Sequence, residues 1–218
     1  MERNIDMNEV SDGRLYDSSA LVRIGSRECE GCSQCCKDVG TSILLDPYDF
    51  YELEKGRGFS FEDMYAEGII ELNVIDGVII PNLKTPCKFL NDSGRCSIHD
   101  FRPGFCRLYP LGRIYNDESF DYFLQVHECP FPNKTKVRIK DWLGIPHLPV
   151  YEEYIKKWHF LLKNATSLIR KKNDDELTKK ISMMFLTVFF VNPYNTEEDF
   201  FPQFYERLSA VSGSGDLE

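Results

Sequence analysis

Four of the chain's eight cysteines fall within residues 29–36, C-E-G-C-S-Q-C-C. Cys29, Cys32 and Cys35 recur at every third position, and Cys36 follows the last directly. A loop with that spacing can wrap consecutive thiolates around one iron–sulfur core, with a remote cysteine completing the set. Thiolates are soft ligands for iron and zinc, and metal binding lowers their pKa. Cys87, Cys96, Cys106 and Cys129 lie further along among Gly, Pro and polar residues, where loops can return them to the first four. Cys129-Pro130 is the kind of Cys-Pro pair that closes such clusters. Zinc would instead take cysteine pairs from two separate loops. Cys29 with Cys32, and Cys87 with Cys96 across a hairpin, supply that arrangement. In extended backbone the neighbours Cys35 and Cys36 point in different directions, so they are not expected to share one mononuclear metal. The simplest division gives four ligands to each of two centres; a single 4Fe–4S cluster, or a zinc beside a cluster, is also open.

Composition narrows the alternatives. In 218 residues, 42% of them hydrophobic, there is enough chain for one domain with a helical appendage and a real core. No apolar run approaches the length of a membrane span, and the opening M-E-R-N-I-D-M-N-E has no apolar stretch of the secretory kind. The expectation is a cytoplasmic protein with no membrane association, and in that compartment a disulfide framework is disfavoured. A formal charge of -9 leaves no nucleic-acid footprint. The basic runs at Lys134, Lys136, Arg138, Lys140 and at Arg170–Lys172 read as solvated faces.

The elements expected around the cysteines are short. Residues 1–12 read as a polar, mobile lead, and Leu15–Ile24 as a strand into the cysteine loop. Asp46-Pro47 with Asp49, then Ser60 with Asp63, are capping signatures for helices over 47–55 and before Gly68. Leu72–Ile75 and Val78–Ile80 flank Asp76-Gly77, a hairpin turn, with Pro81 ending the run or marking an edge. Arg113–Tyr115 and Phe120–Val126 form a second strand pair around Asn116–Ser119. Val137–Leu143 reads as a helical turn, with Pro146 and Pro149 as breaks.

A strong amphipathic helix follows, with Tyr151, Tyr154, Ile155, Trp158, Leu161, Leu162, Ala165, Leu168 and Ile169 on one face. Asn173 or Asp174 caps a second helix to about Val191, with a stripe so wide that it should be nearly surrounded. Thr196 and Asp199 introduce a third, carrying Phe204, Leu208 and Val211. The fold class is α+β: an irregular cysteine-rich metal-binding core over 13–132 with short hairpins and helices, then a helical region over 133–211. Residues 212–218, S-G-S-G-D-L-E, read as a linker.

Taken together, the motifs Cys29-x2-Cys32-x2-Cys35-Cys36, Pro86-Cys87-x-Phe-Leu, Gly94-Arg-Cys96-x-Ile-His and Arg102-Pro103-x2-Cys106-Arg107-x-Tyr109-Pro110 resemble the CxxCxxCC cysteine-cluster family, also called the YkgJ family. The resemblance spans about residues 25–130 in the family's order. It implies zinc or iron–sulfur binding through the eight cysteines and fixes no reaction, although a related cluster in flagellin lysine N-methylase implies methyl transfer for some members. Within the family motif Arg102 and Arg107 are candidates to offset cluster charge or to hydrogen-bond sulfur and carbonyls around it, and Lys37 could do the same from the loop. For Arg107 a surface salt bridge is the competing role. His99 stands where tyrosine is usual in the family, and His99 and His127 are possible extra ligands or interfacial histidines. No catalytic residue is assigned.

The reading is therefore a metal-binding protein with a cysteine-ligated iron–sulfur cluster, 4Fe–4S in type, serving redox or cluster-dependent chemistry with an electron-transfer partner. The alternative is a zinc-stabilised module that docks a protein partner through its C-terminal helices, with a protein lysine methyltransferase-like enzyme third.

Overall fold

The computed structural model describes residues 6–25, 33–37, 43–131 and 134–213; of residues 34 and 35 it describes the backbone alone. Near the start, Asp6 caps one helical turn, α1 (Met7–Val10). Ser11 then bridges to Gln125 and Tyr16 to Tyr122, so this polar lead, expected to be mobile, is stitched to the middle of the chain. The strand expected over residues 15–24 narrows to β1 (Leu21–Gly25), and α2 (Gln34–Lys37) carries the last two cysteines of the cluster.

Both capping signatures form. In α3 (Pro47–Arg57) the Asp46 carboxylate accepts from Asp49 N, the Asp49 carboxylate accepts from Asp46 N, and Pro47 sits in the first turn. Gly58 closes the helix at φ 68°, and the last helical residue, Arg57, lies two past the expected end. Ser60 and Asp63 do the same for α4 (Phe61–Ala66).

The hairpin β2 (Ile70–Ile75) and β3 (Val78–Leu83) turns through Asp76 at φ 52° and Gly77 at φ 87°, the geometry that its sequence implies. Gly77 is required twice, because a Cβ there would stand 2.9 Å from the Ile169 side chain. Pro81 does not end β3. It pairs with Leu72, and its carbonyl accepts from Leu45 N, so residues 43–45 cover the outer side of the strand.

A 3-10 turn (His99–Phe101) and α5 (Gly104–Leu108) lead into β4 (Leu111–Tyr115) and β5 (Phe120–Leu124), joined where the Asn116 side chain accepts from Ser119 N. Residues 137–143 are not one helical turn. They divide between β6 (Thr135–Arg138), which pairs antiparallel with β1, and α6 (Ile139–Leu143). That pairing spans most of the first two-thirds of the chain, and no local pattern announces it.

Three helices complete the molecule. Pro149 opens α7 (Leu148–Lys172) rather than interrupting the chain, because its missing N–H falls in the first turn. Its buried stripe runs Tyr151, Tyr154, Ile155, Trp158, Leu161, Leu162, Ala165 and Ile169. Asp174 caps α8 (Asp175–Leu186), whose last residues pass into a π turn over Thr187–Val191. Within the expected wide stripe Leu186 and Phe190 are buried, but Met183 is 47% exposed. The cap of α9 (Phe200–Gly213) is Asp199, which accepts from Phe201 N. Among the described residues the strands form three separate two-stranded sheets, and one apolar core runs from Val22 to Val211. The architecture is α+β and irregular, with a C-terminal helical stretch. No described helix is long and apolar enough to cross a membrane.

Candidate metal centre

Cys29, Cys32 and the side chain of Cys35 lie outside the described residues. The backbone of Cys35 and Cys36 is a single helical turn, not extended, and Cys36 N donates to Ser33 O at 2.9 Å. The extended backbone on which the divergence of these two neighbours was expected is therefore not the one found, and the direction of the Cys35 side chain lies outside the described residues. Cys36 is half-buried and Lys37 is exposed at the end of the turn.

Around Cys87 and Cys96 the expected hairpin is reduced to one bridge, Leu90 with Cys96. Asn91 makes the turn: its side-chain oxygen accepts from Ser93 N, Ser93 Oγ and Arg95 N, while Leu90 N donates to Cys87 O. Both cysteines are half-buried. Cys106 lies on α5, also half-buried. Cys129 follows β5 in a loop held by two side chains, Lys134 Nζ donating to Cys129 O at 2.8 Å and Tyr109 Oη donating to Glu128 O. The peptide bonds before Pro86 and Pro110, both in the cysteine motifs, are cis.

Arg107 is buried and points its guanidinium at carbonyls rather than at carboxylates. It donates to Arg102 O at 2.9 Å, to Leu143 O and Gly144 O at 3.5 and 3.4 Å, and to Asp100 O. The planar fork thereby joins the turn before Cys106 to the end of α6. Arg102 Nη1 contacts the His99 ring at Nε2. Partial burial, then the Arg102 charge, hold His99 below the usual imidazole range, so its neutral form is favoured. His127 is exposed.

Beneath α5 lies a polar cluster that sequence reasoning did not find. Asp49, a capping residue of α3, also reaches across to Gly104 N at 2.7 Å and so fixes the start of the helix that carries Cys106. Asp46 accepts from Tyr154 Oη at 3.0 Å, and that hydroxyl accepts from Tyr48 N. Burial and the adjacent Asp46 carboxylate push the Asp49 carboxyl well above the ordinary range; burial also raises Asp46. The Arg113 guanidinium stands 5.4, 5.9 and 5.8 Å from the ring centroids of Phe120, Tyr122 and Tyr151. The capping pattern at residues 46–49 was legible, but its second set of partners, on α5 and α7, was not.

Among the described residues no three His, Cys, Asp or Glu side chains stand together in a metal-binding group. The donor chemistry nevertheless fits a thiolate-ligated metal: five described cysteines are half-buried, in loops and one-turn helices braced by side-chain to backbone bonds. Comparison with known families finds that residues 28–131 match CxxCxxCC, described as "Putative zinc- or iron-chelating domain". Comparison with curated proteins and with solved structures finds no match.

Proposed function

We propose, from the premise that residues 28–131 belong to the CxxCxxCC family, that this chain carries a cysteine-ligated iron–sulfur cluster of the 4Fe–4S type. One observation carries the reading: C-x2-C-x2-C at 29–35, followed by further cysteines in a domain of the zinc- or iron-chelating kind. Cys29, Cys32 and Cys35 would supply three thiolates, and Cys36 or a cysteine from the later loops the fourth. When bound, such a group supplies one-electron transfer.

The chain's own residues have separate tasks. Arg107, anchored on four carbonyls, ties α5, the helix of Cys106, to the end of α6, and its charge would help to offset that of thiolates ligating a metal. Asp49 pins the same helix from below. Lys37 and Arg102 add positive charge next to Cys36 and His99. Because the sequence contains no nucleotide-binding glycine fingerprint, electrons would be exchanged with a partner protein, in the cytoplasm.

A second reading is a structural zinc in a protein-binding module, favoured by the family description and by the Asn91 turn, which folds the segment between Cys87 and Cys96 back on itself. The test is Cys32→Ser. Metal analysis should show one centre lost per chain; unchanged stoichiometry would remove Cys32 from the ligands and overturn the assignment of the 29–35 loop.

A further inference from the structure

A cleft of about 320 Å³ opens between α3, α4 and the π turn, within the roughly 300–1,000 Å³ range of small-molecule sites. Four of its walls are phenylalanine rings, Phe50, Phe59, Phe61 and Phe190. Phe50 lies 5.8 Å from Phe61 and meets Phe190 edge-on at 5.3 Å; Phe50 and Phe190 are buried and form the floor of the cleft, while Phe59 and Phe61 are half-exposed at its sides. Two carboxylates share the cleft with them. Glu54, one helical turn after Phe50 and on the same face of α3, is half-buried, and Glu62 stands exposed on α4.

Those carboxylates have no cation partner among the described residues: no Lys, Arg or His there forms an ion pair with either one. Glu54 is partly out of water and next to a like charge, and both effects, burial first, raise its carboxyl. A positive group in the cleft would relieve both. The rings are suited to receive it, because an aromatic face attracts a cation through its quadrupole. Tyr194 also lines the cleft, but the Arg207 guanidinium already sits 3.6 Å over its ring, so the half-exposed rings of Phe59 and Phe61 are the ones with surface left for a ligand. The π turn that carries Phe190 and Val191 is of a kind that recurs at functional sites.

We propose that this cleft binds an organic ammonium ion, an amine carrying methyl or alkyl groups, with its apolar body against the phenylalanine rings and its charge shared between Glu54 and Glu62. A bare metal ion fits poorly, since two carboxylates among rings leave most of its coordination shell empty. A neutral apolar ligand would leave Glu54 desolvated without compensation. The inference is independent of the metal reading.

Choline, n-butylammonium and the neutral choline isostere 3,3-dimethylbutan-1-ol would be titrated into the full chain and followed by calorimetry. An ammonium should bind saturably at about millimolar concentration, with the isostere about tenfold weaker than choline. Tighter choline would assign a methylated amine, and tighter butylammonium a primary amine of the lysine type. Glu54→Gln should weaken the binding about tenfold, and Phe61→Leu less, with metal content unchanged in both. No saturation by either ammonium below about 50 mM, equal binding of choline and its isostere, or full affinity in Glu54→Gln would overturn the proposal. Glu54→Gln decides the matter should Phe61→Leu fail to fold, because it removes a charge from a half-exposed position without changing shape.

Discussion

From α7 to α9 the chain is held by rings, whereas from β4 back to Cys87 it is held by turns. Trp158 lies 5.1 Å from Phe189, Tyr154 4.6 Å from Phe204, and Phe200 packs on Tyr154, Tyr194 and Phe204. Each such ring buries a large apolar area and needs no ligand. Between Cys87 and Cys129, by contrast, stand one isolated bridge, a 3-10 turn, a five-residue helix and a two-stranded hairpin, with half-buried cysteines among them. A two-stranded hairpin is marginal by itself in water; this one is held by Leu111 and Tyr122, which reach the common core, and the segments beside it send in Phe89, Ile98 and Leu108. The comparison teaches that one part is specified by packing and the other also by fixed points: Asp49 on Gly104 N, Arg107 on four carbonyls, Asn91 within its turn, and metal–thiolate bonds in the proposed state.

The largest effect should come from taking the metal away. Chelation is expected to raise hydrogen exchange across residues 86–131 before α7–α9 change, because metal-binding energy is folding energy where the metal joins several loops. A single transition over the whole chain, unaffected by chelation, would break the comparison.

Next is the reverse perturbation. Phe204→Ala removes a fully buried ring from the helical core and should cost about 3–5 kcal/mol in denaturant unfolding, with metal content per folded chain unchanged. Loss of metal alongside stability would mean that the two parts are not separately held.

A smaller effect sharpens the contact between them. Asp49 carries a raised carboxyl in the folded state, so folded protein binds that proton more tightly than unfolded protein does. Stability from this group is therefore full below about pH 4 and falls as pH rises toward and through the raised value. Asp46 has the same sign. The stability of Asp49→Asn relative to the parent should accordingly climb between about pH 4 and 7, read as a difference in Tm at each pH so that acid loss of metal cancels. A flat difference would show that Asp49 does not titrate differently on folding.

What could be read in the sequence was local. Asp46 with Asp49, Ser60 with Asp63, and Asp76-Gly77 each specify their element within a few residues, and each formed as expected. The stripe of α7 was equally plain, because burial against one core imposes a helical period. Other features depend on distant partners. β6 exists because β1 lies beside it, Pro149 starts a helix where a break was expected, and Arg113 points into rings from β5 and α7. For the site, the cysteine motifs pointed to the family whose description residues 28–131 match. They could not show that Arg107 grips carbonyls, or that a capping aspartate of α3 also anchors the helix of Cys106.

The most direct test of the cysteine-ligated cluster is the iron and acid-labile sulfide content of anaerobically purified protein, read beside its visible spectrum. The account predicts about four irons and four sulfides per chain with a brown absorbance near ~400 nm. About one or two zincs per chain, with no sulfide and no colour, would contradict the cluster and leave a zinc-stabilised scaffold.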